Sequence, residues 1–307
     1  MRILISGASG LVGSAAAAAL LEAGHTVERL ARPENATARK RGGTELRDIK
    51  WNPKTGDLDR KAADGADAVV HFAGASIASR WSEEAKKLFR TSRVDATRNL
   101  VTNLLQLDQR PKVLVSASAV GYYGSRGDEA LTEESAPGSD FLAQLARDWE
   151  KEAQRVSDFG IRVVLLRFGV ILAPHGGALE RMLLPFKLGL GGRLGSGRQW
   201  WPWVTLSDVV GILRYALENA SLEGPANAVA PNPVTNAEFT KTLGRVLARP
   251  TIFPAPEFAL RLLLGEMADA LLLSSVRAIP WKLQERGYRF QHATLEEGLR
   301  SLLGRPV

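Results

Sequence analysis

Over the first half of the chain, short apolar runs alternate with longer stretches of helical periodicity. Arg2–Ser6 (RILIS) is apolar and β-branched, which predicts a buried strand. Gly7 to Gly13 predict a turn, and the Ala/Leu-rich residues 14–23 predict a helix stopped by Gly24. Thr26–Ala31 (TVERLA) predicts a second strand. Residues 39–64 are polar and irregular, with turn signals at Asn52-Pro53 and Gly56. Three further apolar runs, 68–73 (AVVHFA), 112–117 (KVLVSA) and Arg162–Phe168 (RVVLLRF), predict buried strands. Helical patterns at 82–106 and 140–159 separate them. Strands alternating with helices of this length predict a parallel sheet wound by right-handed crossovers.

Beyond residue 170 the pattern changes. Seven glycines fall between 176 and 197, and Trp200, Trp201 and Trp203 follow. The loop 189–197 reads as a flap able to close over a ligand, or as a passive turn. Among the tryptophans at least one is expected in the core, the others as a candidate ligand wall, with Trp81 a second candidate wall. Helices are predicted over 207–219 and Asn236–Leu247, with a turn-rich strand region at 225–233 between them. Asp208 is expected to cap or salt-link the first of these. The last 50 residues read as short helices punctuated by Pro254, Pro256, Pro280 and Gly287. The expected organisation is a large α/β platform over 1–170, with segments at about 200–230 returning to it. A smaller lid region over 171–307 ends in a helical C-terminal domain.

Composition narrows the classes. The 307 residues are 45% hydrophobic and 24% charged, which excludes a disordered or fibrous chain. With no cysteine there is no disulfide framework or thiol nucleophile, and the mix fits a reducing cytoplasm. His25, His71, His175 and His292 are scattered, so no metal site is expected. The net charge of +7 is interleaved with acids rather than concentrated, which argues against nucleic acid as the principal partner. Residues 1–5 run straight into a glycine turn, so no secretory leader is expected. The most apolar stretch, 258–273, is broken by Arg261, Glu266 and Asp269, so no membrane span is expected.

The turn Gly7-Ala-Ser-Gly10-Leu-Val-Gly13 follows a predicted strand and opens a helix, the context in which such spacing carries chemistry. Gly7 permits the tight turn, Gly10 lets a diphosphate approach the backbone, and Gly13 lets helix pack on strand. The first free N–H groups of the helix then face the phosphates. The expected fold is therefore a doubly wound Rossmann sheet with a smaller C-terminal α/β lid. At the end of the second strand, where NAD-binding folds carry a carboxylate, stand Ala31 and Arg32. An arginine there suits a ribose 2′-phosphate and so NADP over NAD. Arg39, Lys40 and Arg41 follow, either as a solvated loop or as an added positive field.

GASGLVG (7–13), HFAG (71–74) and SASAVGYYG (116–124) resemble the short-chain dehydrogenase/reductase superfamily in its extended epimerase/dehydratase branch. The segments RWSEEAKKLFRTSRV (80–94), LLPFKLGLGGRLGSGRQWWPWV (183–204), NAVAPNPVTNAEFTKTLGRVL (227–247) and FALRLLLGEMADALLL (258–273) are similar to its atypical YfcH/SDR39U1 epimerase subgroup. That resemblance spans essentially the whole chain. It implies an NADP(H)-binding platform in which Gly7, Gly10, Leu11, Val12 and Gly13 form the phosphate turn and Arg32 takes the 2′-phosphate. Phe72, Ala73 and Gly74 would line the adenine and ribose side. Arg93 would replace an asparagine usually found beside the cofactor, and Ile171 would pass near the nicotinamide.

The superfamily's chemistry uses a tyrosine and a lysine four residues later, the cation lowering the phenol pKa. Here the matching positions are Leu142 and Ala146, so that pair is absent. Ser118 matches the serine that bonds the reacting oxygen. Tyr122 and Tyr123 are either displaced proton donors or aromatic wall. The resemblance therefore implies an NADP-dependent oxidoreductase or epimerase on an unidentified small molecule, with Ser118, Tyr122 and Tyr123 as its catalytic candidates. The alternative is a non-catalytic NADP-binding sensor or regulator, connected with cell division in relatives, with a protein partner or a homodimer as its working form.

Overall fold

A computed structural model describes residues 1–32 and 46–306, so Arg39, Lys40 and Arg41 lie outside the described residues. From the N-terminus the elements are β1 (Arg2–Ser6), α1 (Leu11–Glu22), β2 (Thr26–Ala31), β3 (Arg47–Lys50), α2 (Arg60–Ala63) and β4 (Ala68–His71). Next come α3 (Glu83–Arg90), α4 (Ala96–Leu104), β5 (Val113–Ala119), β6 (Ala130–Leu131), α5 (Phe141–Gln154) and β7 (Arg162–Phe168). Then follow β8 (Val170–Ala173), α6 (Gly177–Lys187), β9 (Trp200–Trp201), β10 (Trp203–Thr205), α7 (Leu206–Glu218) and β11 (Gly224–Ala228). The chain closes with β12 (Val234–Thr235), α8 (Asn236–Leu247), α9 (Glu257–Leu264), β13 (Arg277–Ala278), α10 (Trp281–Glu285) and α11 (Leu295–Leu302).

Seven of these strands form one parallel sheet in the order β11-β7-β5-β4-β1-β2-β3. Its strands are apolar on both faces because helices cover both. Ile3 and Ile5 of β1 join Ala16 and Leu20 of α1 and Val209 and Ile212 of α7 on one side. Leu4, between them, points to the other side, among Leu100 and Leu104 of α4 and Ala153 of α5. The strand order reverses between β1 and β4, so the C-terminal ends of those strands open a crevice. Position 224–228 returns to this sheet as β11, pairing with β7.

The helical pattern over 82–106 is realised as α3 and α4 joined by a π-helical turn, Thr91–Asp95. The extra residue per turn re-aims a side chain, and Arg93 sits on it. A third core lies under the C-terminal region, where Trp201, Trp203, Phe239, Leu243 and Leu299 pack together. The glycines of 189–197 serve that packing. A Cβ on Gly191 would lie 2.7 Å from the Phe186 ring, and one on Gly192 would lie 1.8 Å from the Phe253 carbonyl oxygen.

Candidate functional site

The glycine turn is built by close approach. Gly7 has φ +74°, and a Cβ there would stand 2.7 Å from the Phe72 carbonyl carbon. A Cβ on Gly13 would stand 2.2 Å from the Gly7 oxygen. Gly10 differs: its Cβ position meets only the Gly7 oxygen, at 3.3 Å, so the protein leaves the space beyond it free. Gly10 is also the N-cap of α1 and offers no side-chain cap, so the first amides of the helix keep their donors for an anion. The Leu11 side chain turns away and lies against Gly176, whose Cβ position is 2.7 Å from Leu11 Cδ1. Arg32 follows β2 directly and is exposed.

Beside this turn lies a cleft of about 380 Å³ between the C-terminal ends of the sheet and the segments at 200–202 and 270–276. Val12, Phe72, Gly74 and Arg93 line one end of it. Ala73 instead packs inward against the core. Gly169 and Val170 reach the cleft, whereas Ile171 packs beneath it against the core around α1 and α7. The Arg93 guanidinium lies under Gly74, 3.3 Å from its Cβ position. It donates to the Ala75 carbonyl at 2.9 Å and stacks on Trp149 at 5.4 Å. Burial without a carboxylate partner among the described residues lowers its pKa to about 10, so it remains a cation.

Ser118, Leu142 and Ala146 all line the cleft. Leu142 and Ala146 project from α5 one turn apart, toward β5. One further turn along the same face stands Glu150. Ser118 Oγ donates to Glu150 Oε1 at 2.6 Å, and Arg167 binds both Glu150 oxygens at 2.8 Å. Burial works against the Arg167 charge, but the bonds to Glu150 outweigh it and raise the pKa. Arg167 also donates to Tyr123 Oη at 2.9 Å, and Tyr123 donates to Asn227 Oδ1 at 2.7 Å. Asn227 N–H in turn donates to Glu133 at 2.9 Å.

This frame corrects the expectation for the tyrosines. Tyr123 is fully buried, does not line the cleft, and is pushed by burial to about pKa 12. Tyr122 does not line it either; its ring lies 3.5 Å from the Arg167 guanidinium carbon, as a stacking partner. Only Ser118 of the three expected hydroxyls meets the cleft. The Glu150–Arg167 pair was missed in the sequence. Its signal was an arginine inside an apolar strand and an acid at helical spacing from Leu142 and Ala146. Trp200 and Trp201 line the cleft and Trp203 is core. Trp81 instead packs edge-on against Phe89 and Phe141.

A glycine-rich turn at the switch point of a doubly wound parallel sheet defines a Rossmann-type protein of the extended short-chain dehydrogenase/reductase class. More particularly, the chain belongs to the NAD dependent epimerase/dehydratase family, whose model matches residues 3–229. Residues 255–302 match a domain of unknown function, DUF1731. The chain is 44% identical over 305 residues to epimerase family protein Mb2239 of Mycobacterium bovis, covering 99% of this chain and 98% of that protein. The crystal structure of human epimerase family protein SDR39U1 (isoform 2) with NADPH aligns over 100% of both chains, with 34% identity and TM-score 0.88. A nucleoside-diphosphate sugar epimerase from Corynebacterium glutamicum aligns with TM-score 0.79 and 36% identity, over 99% of this chain and 58% of that one. Among the described residues no helix is long and apolar enough to cross a membrane.

Proposed function

We propose that the protein binds NADP(H) and acts as an oxidoreductase or epimerase on a small molecule in the cytoplasm. The observation that carries this is the uncapped, open Gly10 position at the start of α1, in a chain similar over its full length to a protein crystallised with NADPH. Backbone amides from Gly7 to Gly13, those of Leu11 and Val12 included, hold the diphosphate. Arg32 takes the 2′-phosphate, Phe72 and Gly74 flank the adenosine side with Ala73 packed behind them, and Arg93 supplies a buried cation beside Gly74. Bound there, the nicotinamide supplies hydride exchange.

Ser118 is the proton-exchanging group. Its own proton points to Glu150, so its lone pairs face the cleft and accept from a substrate hydroxyl. A proton arriving at Ser118 Oγ displaces the serine's own onto the Glu150 carboxylate, and the reverse transfer returns it. Arg167 fixes the carboxylate geometry from below.

Calorimetry should give NADPH at least tenfold tighter than NADH, a preference that Arg32→Asp narrows or reverses, since a charged hydrogen bond contributes about 1.5–3 kcal/mol. A carbonyl panel should then reveal NADPH oxidation that Ser118→Ala slows at least tenfold at unchanged NADPH affinity. Equal affinity for both dinucleotides, or turnover indifferent to Ser118, sinks the respective half. Leu142 and Ala146, which can move no proton, favour a second reading: an NADP(H)-binding sensor or regulator of a protein partner, tied to cell division. Tight NADPH binding with no turnover across the panel selects it.

A further inference from the structure

The non-cofactor half of the cleft carries a chemical signature of its own. Its walls are Val120, Leu142, Leu145, Trp201, Leu271 and Val276. Among the described residues lining the cleft, Arg93 alone has an ionisable side chain, and it lies under Gly74 with its Nη2 on the Ala75 carbonyl. The other polar side chains there are the hydroxyls of Ser118 and Ser274 and the tryptophan N–H groups. The N–H groups of Trp200 and Trp201 are already spent, on Asp128 and on the Leu272 carbonyl, whereas that of Trp149 is buried without a partner. Outside the lining, Arg167 is held on Glu150 behind Ser118, and Arg277 stacks on Trp200 at 4.5 Å and donates to the Asp128 backbone, its Nε buried without a partner.

A nucleoside-diphosphate sugar brings two phosphate charges and a ring of hydroxyls. Recognising it takes arginine or lysine forks for the phosphates and many donors and acceptors for the sugar, because unpaired polar groups are costly in a desolvated site. Among the described residues this wall supplies no arginine or lysine fork and, beyond Ser118, Ser274 and the Trp149 N–H, no free side-chain donor or acceptor. An apolar wall gains instead from each methylene it covers. We infer that the substrate half of the cleft takes an uncharged, largely apolar carbonyl or hydroxy compound, its one oxygen function directed at Ser118. This rests on the reading that the glycine-turn half holds NADP(H).

The test is calorimetric titration of the NADP⁺-loaded protein with 2-hexanone, 2-octanone, 2-decanone and UDP-glucose. Each added methylene should tighten binding about fourfold, the worth of one buried CH₂. UDP-glucose should bind at least a hundredfold more weakly than 2-decanone. Leu142→Asp should flatten the ketone series, with far-UV circular dichroism and NADP⁺ binding checking that the variant is folded. Should it not fold, Leu271→Ala should shorten each methylene step instead. A flat series in the loaded wild-type protein overturns the inference, as does UDP-glucose binding as tightly as 2-decanone. If NADP⁺ itself does not bind, the proposed function falls first. The same ketone series in the free protein then decides the inference separately: fourfold steps uphold it and a flat series overturns it.

Discussion

Two glycines of one turn have different fates on substitution. Gly13→Ala drives a methyl to 2.2 Å from the Gly7 oxygen, so the turn itself must shift. It should cost at least about 2 kcal/mol in chemical denaturation. Gly10→Val brings its Cβ 3.3 Å from the Gly7 oxygen and places a poor residue at the N-cap of α1, so it should still fold, at a cost of about 1 kcal/mol. Its branched side chain fills the space left for a diphosphate, so NADPH affinity should fall at least a hundredfold. Micromolar binding by the folded Gly10→Val protein would place the phosphates elsewhere. The tight turn at Gly7 and the close packing at Gly13 were legible in the sequence because turn chemistry is local. The burial of Tyr123 was not, since it is fixed by Asn227, 104 positions away, and by Arg167, 44 positions away. A hydroxyl four residues beyond a strand looks available until the chain that returns as β11 covers it.

Elements are joined by side chains that the periodicity does not reveal. The apolar run AVVHFA predicted the buried strand now seen as β4, but said nothing of why a histidine stands in it. His71 Nδ1 lies 2.6 Å from Ser6 Oγ on β1, and Nε2 lies 2.9 Å from Thr97 Oγ1 on α4. One neutral ring thus clips the two strands at the switch point to the helix beside them. Burial, with no acidic partner among the described residues, lowers its pKa from 6.5 to about 4. Unfolding frees the ring to bind a proton near pH 6.5, whereas the folded protein refuses it until about pH 4. The stability this contributes is therefore present above pH 6.5 and lost as pH falls to about 4, a change of about 3 kcal/mol. Denaturation of the wild type at a series of pH values should show that slope. His71→Asn should be less stable at pH 7 and markedly flatter between pH 7 and 4. An identical slope in both proteins assigns the acid sensitivity to other groups. The long helical pattern over 82–106 was likewise read correctly as helix. The π turn within it, which aims Arg93 at the cleft, leaves no mark in an apolar repeat.

At the scale of the molecule, the sheet and its winding could be read because parallel strands covered on both faces are plain apolar runs. The attachment of the C-terminal region could not, because it depends on buried polar groups that meet only on folding. Asp208 shows this. The sequence suggested a helix cap or a salt link there; Thr205 is the cap, accepting from the Asp208 amide, and the Asp208 carboxylate lies 3.4 Å from His292 Nδ1. The buried Asp208 carboxylate reaches across to the chain's end, accepting from the backbone N–H groups of Gln291 at 2.8 Å and His292 at 3.2 Å. Thr205 Oγ1 adds a third donor at 2.9 Å, and Tyr288 Oη binds the Asp208 carbonyl at 3.2 Å. One carboxylate thus holds the lead-in to α11 against α7, and α11 completes the core around Trp203. Asp208→Ala leaves two backbone donors buried without acceptors and removes charge-assisted bonds of about 1.5–3 kcal/mol each, so stability should drop by about 3 kcal/mol or more. The loss should be local first: hydrogen exchange should speed at Gln291, His292 and through α11, with proteolysis beginning in that segment. The glycine turn lies on β1 and α1, outside this attachment, so NADPH affinity should stay within about twofold. Unchanged exchange at residues 291 and 292 in the variant would mean that α10 and the Leu299 packing hold the C-terminal region without the carboxylate.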